Sequence, residues 1–456
     1  MASPMFHYDE AMTDLIVAAC RERLSMDPVA LDFGGLVESL DAELAGLMRP
    51  EGNDAAGVLQ LFVETLSTAV VSCDSPRFLS FIPAAPTKAS LLFDMFVSCS
   101  SLHGTSWLEA AGVVVAENQA LGVLAAQAGL PAQAGGCFVA GGSAGNLSAL
   151  MVARDTAAFR RQAAPPLHPL VALSEDAHSS VGKALHVLGV GSLTVPTHDH
   201  QLTGSALRAA LRDDPRRDDV IAVVATAGTT NAGIVDDLAG VADVAAQHSL
   251  WFHIDGAYGG AAALFAPSAR ARFDGFERAD SFIVDPHKWL FAPFDCAALL
   301  YRQPNLAKAV HTQDAQYLDV LHSDNPEEWN PSDYAFHLTR RARGLPLWFS
   351  LAVNGLDAYR EAVEAGLAMA QRAAARIAES PHVELVREPG LSIVLFRRLG
   401  WAKSDYEAWS ARLLTAQIGF VTPTTWEGET VARFAFLHPD TAVAMVEEIL
   451  GSMTEA

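Results

Sequence analysis

The chain has 456 residues, of which 50% are hydrophobic and 18% charged, a composition too apolar for a disordered protein. Its 31 Lys and Arg against 53 Asp and Glu give a net charge of −22, which argues against nucleic acid or an anionic membrane as a partner, because both require clustered positive charge. The five cysteines are scattered and form no CxxC pair, so we expect neither a disulfide scaffold nor a bound metal.

The first ten residues lack the basic and apolar pattern of a signal peptide. No uncharged apolar stretch approaches the roughly 20 residues of a membrane helix. We therefore expect a soluble, cytoplasmic protein. The length allows two or three domains.

The first part of the chain is predicted to be helical. Apolar residues recur at helical spacing, and breaker residues such as Pro50 and Gly52 separate the segments. Residues 73–86 contain prolines and are predicted to be irregular. Helices are predicted over residues 11–24, 55–71, 90–101 and 112–128.

From about residue 136, short β-branched runs alternate with helical patterns. Repeated strand–helix–strand units are typical of a mostly parallel sheet with helices on both faces. The sequence therefore predicts an α/β fold. The predicted strands cover residues 136–140, 170–173, 221–226, 251–254, 281–284 and 297–301.

The pattern changes again after Leu345, where a helix is predicted over 348–380, followed by a smaller α+β part with strands near 391–396 and 431–436. Residues 312–336 are rich in Asp, Glu, Asn and Pro, and we expect a long loop that is either a functional lid or disordered.

Three parts are therefore predicted. They are an N-terminal helical segment (1–85), a large α/β domain (86–345) and a small C-terminal α+β domain (346–456).

Unusual polar residues follow four of the predicted strands, namely His178, Thr230, Asp255 and Lys288. In open α/β sheets, ligands bind outside the carboxyl ends of the strands, so these side chains should converge on one crevice. Taken singly, Asp255 could cap a helix, His178 could be structural, Thr230 could cap a turn and Lys288 could be a surface charge. One shared ligand would explain all four.

A glycine-rich turn at 141–146, Gly-Gly-Ser-Ala-Gly-Asn, lies between the first predicted strand and a helical run over 147–157. Small residues there let backbone N–H groups approach an anion at a helix N-terminus. A lysine can form a Schiff base with an aldehyde, a carboxylate can keep a pyridine nitrogen protonated, and an imidazole can stack on a flat ring. The set describes a site for pyridoxal 5′-phosphate (PLP), an electron sink for carbanion chemistry.

From about residue 75 to the C-terminus, the chain resembles the group II PLP-dependent amino acid decarboxylases, which include the aromatic-L-amino-acid, histidine, glutamate and diaminobutyrate enzymes. The resemblance rests on several motifs that occur in the family's order. They are Pro76-Arg77-Phe78, the 141–147 turn, Asp176-Ala177-His178-Ser179-Ser180, Gly228-Thr229-Thr230, His253-Ile254-Asp255-Gly256-Ala257-Tyr258-Gly259-Gly260, Asp285-Pro286-His287-Lys288-Trp289 and Arg340-Arg341-Ala342-Arg343.

The resemblance implies a fold-type I PLP-dependent fold and decarboxylation of an L-amino acid to an amine and CO2. It also implies a homodimer with active sites at the subunit interface, across which the N-terminal helical segment packs. Lys288 would form the Schiff base, Asp255 would pair with the pyridine nitrogen, and His178 would stack on the ring and help orient the substrate carboxylate. The implied cofactor contacts are Ser143, Ala144, Gly145, His178, Thr230, Asp255, Ala257, Asp285, His287 and Lys288.

The segment 313–318, Gln-Asp-Ala-Gln-Tyr-Leu, resembles the family's mobile loop, which reaches into the partner's site. Tyr317 is then the candidate general acid that protonates the substrate carbanion. Relatives with Phe at this place tend to release aldehydes by an oxygen-dependent route, so Tyr317 favours simple amine formation. An ordinary loop tyrosine is the alternative interpretation.

The substrate-pocket segments of the family correspond here to Phe81, Ile82, Pro83, Thr105 and Trp107. Compared with the aromatic decarboxylases, Ile82 replaces an aromatic residue and Thr105 replaces Phe. Asp285 stands where many members of the family have Asn, although Asp also occurs there. An aromatic amino acid is the leading expectation, with aliphatic, acidic and diamino substrates left open. Arg433 in the small domain could form a structural ion pair or contact substrate.

Three other functions remain open from sequence. A fold-type I aminotransferase or desulfurase would share the lysine, the aspartate and the phosphate cradle. A decarboxylation-dependent aldehyde synthase, or a non-catalytic homologue that binds PLP, would share the whole set.

Overall fold

The computed structural model describes residues 4–33, 37–82, 85–321, 325 and 328–454, so Pro83 of the predicted substrate pocket lies outside the described residues. The α-helices are α1 (Glu10–Ser25), α2 (Val37–Leu44), α3 (Ala55–Leu61), α4 (Lys88–Cys99), α5 (Trp107–Gln127), α6 (Gly142–Arg161), α7 (Ser179–Leu188), α8 (Gly204–Asp213), α9 (Leu238–Gln247), α10 (Gly260–Phe265), α11 (Pro286–Trp289), α12 (Pro304–His311), α13 (Leu345–Ala378), α14 (Lys403–Thr415) and α15 (Val443–Gly451). A π-helical turn spans Phe62–Leu66, and 3-10 turns span Pro4–Phe6, Ser67–Ala69, Arg217–Asp219, Pro267–Phe273, Phe276–Arg278, Gln316–Leu321 and Pro331–Tyr334.

Seven strands form one large sheet in the order β1-β7-β6-β5-β4-β2-β3. Only β7 runs antiparallel to its neighbours, so the predicted mostly parallel α/β sheet is confirmed. The strands are β1 (Gly135–Val139), β2 (Leu170–Ser174), β3 (Gly191–Val195), β4 (Val220–Thr226), β5 (Trp251–Asp255), β6 (Ser281–Val284) and β7 (Ala297–Tyr301).

The central strands are buried on both faces, because helices cover both sides of the sheet. Every residue of β4 and β5 is buried. In β4, Val223 and Ala225 belong to the apolar core on one face, whereas Ile221 and Val224 belong to the core on the other. This two-sided burial explains why these strands read as continuous apolar runs in the sequence.

A second, antiparallel sheet of four strands in the order β10-β11-β9-β8 lies in the C-terminal part. Its strands are β8 (Val383–Leu385), β9 (Ile393–Arg398), β10 (Pro423–Trp426) and β11 (Glu429–Ala435). Leu79 donates to the carbonyl of Phe420 and accepts from the amide of Ala435, at 3.0 and 2.9 Å. These bonds tie the segment before Phe81 to the small sheet.

Some boundaries differ from the sequence-based expectation. The helix predicted over 55–71 is α-helical only to Leu61 and continues as a π-helical turn and then a 3-10 turn that ends at Ala69. The helix predicted to begin at 147 begins at Gly142, which places the glycine-rich turn in its first turn. Strands β3, β8 and β10 were not predicted.

By length and composition α5 could span a membrane, yet here it packs against β1 and α13. Its Glu117 side chain forms a buried ion pair with Arg340, with N–O distances of 2.6 and 3.0 Å. Glu117 also accepts from the Gly344 amide, and Arg340 also donates to the carbonyls of Gly104 and Phe138. The pair therefore holds α5, the start of α13 and β1 together.

We expect Glu117→Gln to lower the free energy of unfolding by about 3–5 kcal/mol, because it leaves the buried Arg340 guanidinium without its counter-charge. Unfolding in denaturant, followed by circular dichroism, measures the change. Glu379→Gln, which breaks an exposed ion pair with Arg376, is the matched control and should change stability little. Equal effects of the two substitutions would contradict this role of Glu117.

Candidate active site

Asp255 is the last residue of β5 and is 5% exposed. Alternation along the strand places Trp251, His253 and Asp255 on one face. The Oδ2 atom of Asp255 accepts a hydrogen bond from the Asn146 amide nitrogen at 3.0 Å, and Oδ1 accepts from the Ala257 amide at 3.2 Å. Asp255 is therefore held by neutral donors and caps no helix.

Lys288 lies in α11, immediately after the neighbouring strand β6, and its side chain is 25% exposed. Its Nζ atom lies 2.9 Å from Oδ2 of the buried Asp285. Burial alone lowers the pKa of Lys288, but the charge of Asp285 and, more weakly, that of Asp255 outweigh it, so the pKa is raised. Burial likewise raises the pKa of Asp285, but Lys288 and His287 outweigh it and the pKa is lowered.

His287 points a hydrogen-bond donor toward the same carboxylate. Its Nδ1 atom accepts from the Cys296 amide at 3.0 Å, which leaves the proton of the neutral ring on Nε2. That Nε2 lies 3.4 Å from Oδ2 of Asp285, and the Gly142 amide donates to the same oxygen at 3.2 Å. Among the described residues, Oδ1 of Asp285 is buried with no hydrogen-bond partner.

The glycine-rich turn forms the beginning of α6. The amides of Ala144 and Gly145 both donate to the carbonyl of Gly141, at 3.0 and 3.1 Å. Within the described chain, no group accepts from the Ser143 amide, and its side chain is exposed. Ser143 is thus the residue of this turn best placed to donate to an anion. Gly145 serves packing, since a Cβ there would lie 2.3 Å from the Ile283 side chain.

His178 follows β2 and is the N-cap of α7. Its Nδ1 atom accepts from the Ser180 amide at 3.2 Å and lies 2.8 Å from the Ser180 hydroxyl. That hydroxyl accepts from Asn146 at 3.0 Å, the same amide group that donates to Asp255. His178 therefore caps α7 and is also linked to Asp255 through Ser180 and Asn146.

Thr230 and Arg433 meet where the two sheets approach. Arg433 donates to the carbonyls of Thr230, Asn231 and Phe81, at 2.6, 3.2 and 2.8 Å, rather than pairing with a carboxylate. Burial lowers the pKa of Arg433 to about 10. It therefore fixes the loop after β4 to the segment that carries Phe81. Thr229, not Thr230, closes the turn, through its hydroxyl and the Ile234 amide.

The residues predicted to contact substrate fall into two places. Phe81 is exposed with a positive φ, and Ile82 packs against the core of the large sheet. Thr105 and Tyr317 instead line a cavity of about 390 Å³ that, within the described chain, none of Lys288, Asp255 and His178 lines. The phenol-bearing side chain of Tyr317 is 72% exposed.

Trp107 begins α5 next to Thr105, and its amide donates to Asn330 at 2.8 Å.

The residues around Lys288 fit PLP. Lys288 supplies an amine next to a buried carboxylate, and Asp255 offers a second buried carboxylate for a protonated ring nitrogen. The Ser143 amide and the start of α6 supply donors for a phosphate, and His287 would add its Nε2–H group, which in this structure is directed at Asp285. Asp285 is the exception, because its negative charge faces the place where these donors converge.

Sequence reasoning missed the residues that support this site. Asn146, His253, Ser180 and Ser281 hydrogen-bond to one another or to the predicted residues. The available signal was the His-x-Asp spacing on β5, which places His253 on the same face as Asp255.

The pyridoxal-dependent decarboxylase conserved domain matches residues 43–399. The chain is 32% identical over 411 residues to an aromatic-L-amino-acid decarboxylase of Bacillus atrophaeus, which covers 88% of this chain and 85% of that protein. It is 29% identical over 434 residues to an L-2,4-diaminobutyrate decarboxylase of Rhizobium meliloti, covering 92% and 85%. The structure of Oryza sativa TDC with PLP and tryptamine matches with a TM-score of 0.90 at 26% identity, over 100% of this chain and 99% of that chain.

The family match covers more than half of the chain, and the arrangement of the lysine, the aspartate and the glycine-rich turn agrees with it. The resemblance inferred from the sequence motifs is therefore confirmed. The chain belongs to the pyridoxal-dependent decarboxylase family.

Proposed function

We propose that this chain decarboxylates an L-amino acid to the corresponding amine and CO2, with PLP as cofactor. The observation that carries the proposal is the joint placement of Lys288 and Asp255. They lie at the carboxyl ends of adjacent strands and beside the start of α6, where phosphate donors converge. An aminotransferase would share these groups, and the family match favours a decarboxylase.

In this arrangement, specific residues would bind each end of the cofactor. Ser143 and His287 would bind the phosphate, with Ala144 and Gly145 shaping the turn. Asp255 would hold the ring nitrogen, while Ala257 and Thr230 would line the ring. Lys288 would bind the aldehyde carbon covalently.

PLP supplies an electron sink for the electron pair left when the bond between Cα and the carboxylate breaks. Asp255 keeps the ring nitrogen protonated through its negative charge. His178 would orient the substrate carboxylate through its Nε2–H group. Tyr317 would then donate its phenolic proton to Cα, and closure of its loop would exclude water.

We further propose a homodimer in which each chain completes the other's site. In a single chain, Thr105 and Tyr317 line a cavity whose described lining residues do not include Lys288, and the side chain of Tyr317 is exposed. A second copy that brings this cavity to Lys288 would unite the two groups. Helices α1 and α3, which bury no residue of their own within the chain, would pack across the partner.

An aromatic amino acid is the substrate class we favour. The cavity with Tyr317 has apolar walls, including Leu108, Leu318 and Leu338, and none of its described lining residues is Lys or Arg. Among its described lining residues, His103 is the one group that could carry a positive charge opposite an acidic side chain. The aromatic decarboxylase of Bacillus atrophaeus supports the same choice.

A diamino acid is the second candidate. Glu109 lines the same cavity and could pair with a cationic side chain. The similarity to an L-2,4-diaminobutyrate decarboxylase supports this alternative.

We also propose a cytoplasmic location and the three-part division at residues 85 and 345. All five cysteines are free, which suits a reducing compartment.

The first test is a panel of aromatic, diamino, acidic and aliphatic L-amino acids, with CO2 and amine measured for the PLP-loaded protein. We expect release from an aromatic amino acid and loss of at least about a thousandfold in rate for Lys288→Ala. Lys183→Ala on α7 is the control and should retain the rate. Amino-group transfer to a keto acid without CO2 release would contradict the proposal.

Tyr317→Phe tests the proton donor. The variant should form amine at least about tenfold more slowly, because its ring can no longer donate a proton to Cα. Where O2 intercepts the carbanion, one amino acid with O2 and water yields aldehyde, CO2, ammonia and hydrogen peroxide. Peroxide and amine are measured in the same reaction. Unchanged amine formation without peroxide would remove Tyr317 from the mechanism.

Asp285→Asn tests the unusual carboxylate beside Lys288. Asp285 raises the pKa of Lys288, so its removal lowers that pKa and increases the fraction of neutral amine at a given pH. The asparagine also removes a negative charge that faces the phosphate donors. We expect the pH at which PLP loading is half-maximal to shift downward and the Kd for PLP to fall.

PLP loading is followed by the visible absorption of the bound cofactor between pH 6 and pH 10. Asp243→Asn, on the surface and paired with Arg278, makes the same change in net charge and should leave loading unaltered. Slower loading of Asp285→Asn at every pH would show that the carboxylate helps Lys288 instead.

A further inference from the structure

A continuous chain of hydrogen bonds runs behind the site and ends on Asp255. The indole nitrogen of Trp251 lies 2.8 Å from the Ser281 hydroxyl, which lies 2.8 Å from Nδ1 of His253. Nε2 of His253 lies 2.9 Å from Oδ1 of Asn146, whose amide nitrogen lies 3.0 Å from Asp255. Asn146, His253 and Ser281 are fully buried, and the mechanism uses none of them.

The chemistry of each group sets the direction of these bonds. The Trp251 indole can only donate, so the Ser281 hydroxyl accepts there and gives its own proton to His253. An ionised carboxylate can only accept, so the Asn146 amide nitrogen faces Asp255 and its oxygen faces His253. His253 must therefore carry its proton on Nε2.

His253 is neutral in this arrangement. Burial lowers its pKa to about 4, although the charge of Asp255 acts in the opposite direction. A neutral ring with the proton on Nε2 has a bare Nδ1, which matches a donor hydroxyl from Ser281. Every bond of the chain is satisfied by one proton arrangement.

Asn146 divides the chain into two branches. One amide hydrogen goes to Asp255 and the other to the hydroxyl of Ser180, at 3.0 Å each. Since Ser180 accepts from Asn146, its single proton is directed to Nδ1 of His178, 2.8 Å away. His178 in its neutral form then carries its proton on Nε2, as a donor.

We propose that Asn146 and His253 are positioning residues. Through the two branches of this hydrogen-bond chain, they hold Asp255 against the ring nitrogen and set His178 as an Nε2–H donor toward the substrate carboxylate. This inference rests on the proposed function. His253 orients the Asn146 amide, and Asn146 transmits that orientation to Asp255 at the end of β5 and, through Ser180, to His178 at the start of α7. Neither of them touches the substrate or the cofactor.

The alternative is that these buried groups only satisfy one another. A purely structural role predicts that substitutions lower stability and leave the bound cofactor unchanged. A positioning role predicts a change at the ring in protein that is still folded. The visible circular dichroism of the bound cofactor reports ring orientation, and the Kd for PLP reports the Asp255 contact.

The test compares His253→Leu, which removes the Nε2 donor, with His253→Gln, whose amide nitrogen can occupy the place of Nε2. We expect His253→Leu and Asn146→Ala to weaken PLP binding about tenfold and to reduce the visible circular dichroism at saturating PLP. His253→Gln should restore both to within about twofold of the original protein. Asn146→Ala decides the question if His253→Leu does not fold.

Ser180→Ala separates the two branches. It removes the hydroxyl that joins Asn146 to His178, and it leaves the bond to Asp255 and the Ser180 amide bond to Nδ1 of His178 in place. We therefore expect unchanged PLP affinity with an increased KM and a kcat lowered about tenfold. His438→Leu, which removes another histidine whose burial lowers its pKa, is the control for loss of a partly buried imidazole ring and should leave the cofactor signal unaltered.

Asp255→Asn distinguishes failure of this inference from failure of the proposed function. If Asp255→Asn binds PLP with normal affinity and spectrum, the proposed site is wrong. If Asp255→Asn loses the signal while His253→Leu and Asn146→Ala keep it, only the positioning role is overturned. Failure of His253→Gln to restore the signal lost in His253→Leu also overturns it.

Discussion

The hydrogen bond from Asn146 to Asp255 joins the helix that begins at the glycine-rich turn to the strand that ends at the carboxylate. A flat cofactor with a phosphate at one side and a ring nitrogen at the other needs those two ends at a fixed separation. The buried Asn146 side chain contributes to that separation through two hydrogen bonds to β5, one to Asp255 and one to His253, because α6 and β5 cannot slide past each other without breaking them. The positions of Ser143 and Asp255 are therefore coupled.

A phosphate bound at this site would be stabilised by hydrogen-bond donors more than by net positive charge. The chain is strongly acidic, and two buried carboxylates, Asp255 and Asp285, flank the single ammonium of Lys288. A bound phosphate would add further negative charge. Neutral donors, namely the Ser143 amide, the His287 ring and the start of α6, must then stabilise it. Asp285 opposes them, and its pairing with Lys288 offsets its charge.

The sequence was sufficient for the central strands. Strands β4, β5 and β6 are short apolar runs that end directly in chemistry-bearing residues, and the carboxyl-edge rule placed those residues together. Strand β3 was missed because three of its five residues, Gly191, Ser192 and Thr194, are exposed, which leaves little apolar signal. The start of α6 was missed because glycine and serine are weak helix formers, whereas the bonds to the Gly141 carbonyl close the first turn.

The supporting residues could not be read from local sequence, because their partners are far apart along the chain. Asn146 and His253 are 107 residues apart, and only the order of the strands brings them together. The same limit applies to Tyr317, whose loop motif matches the family while its side chain faces solvent in a single chain. A phenol exposed beside an apolar cavity has little stabilising role within its own chain. Its position is accounted for physically if the atom it acts on belongs to another copy of the protein.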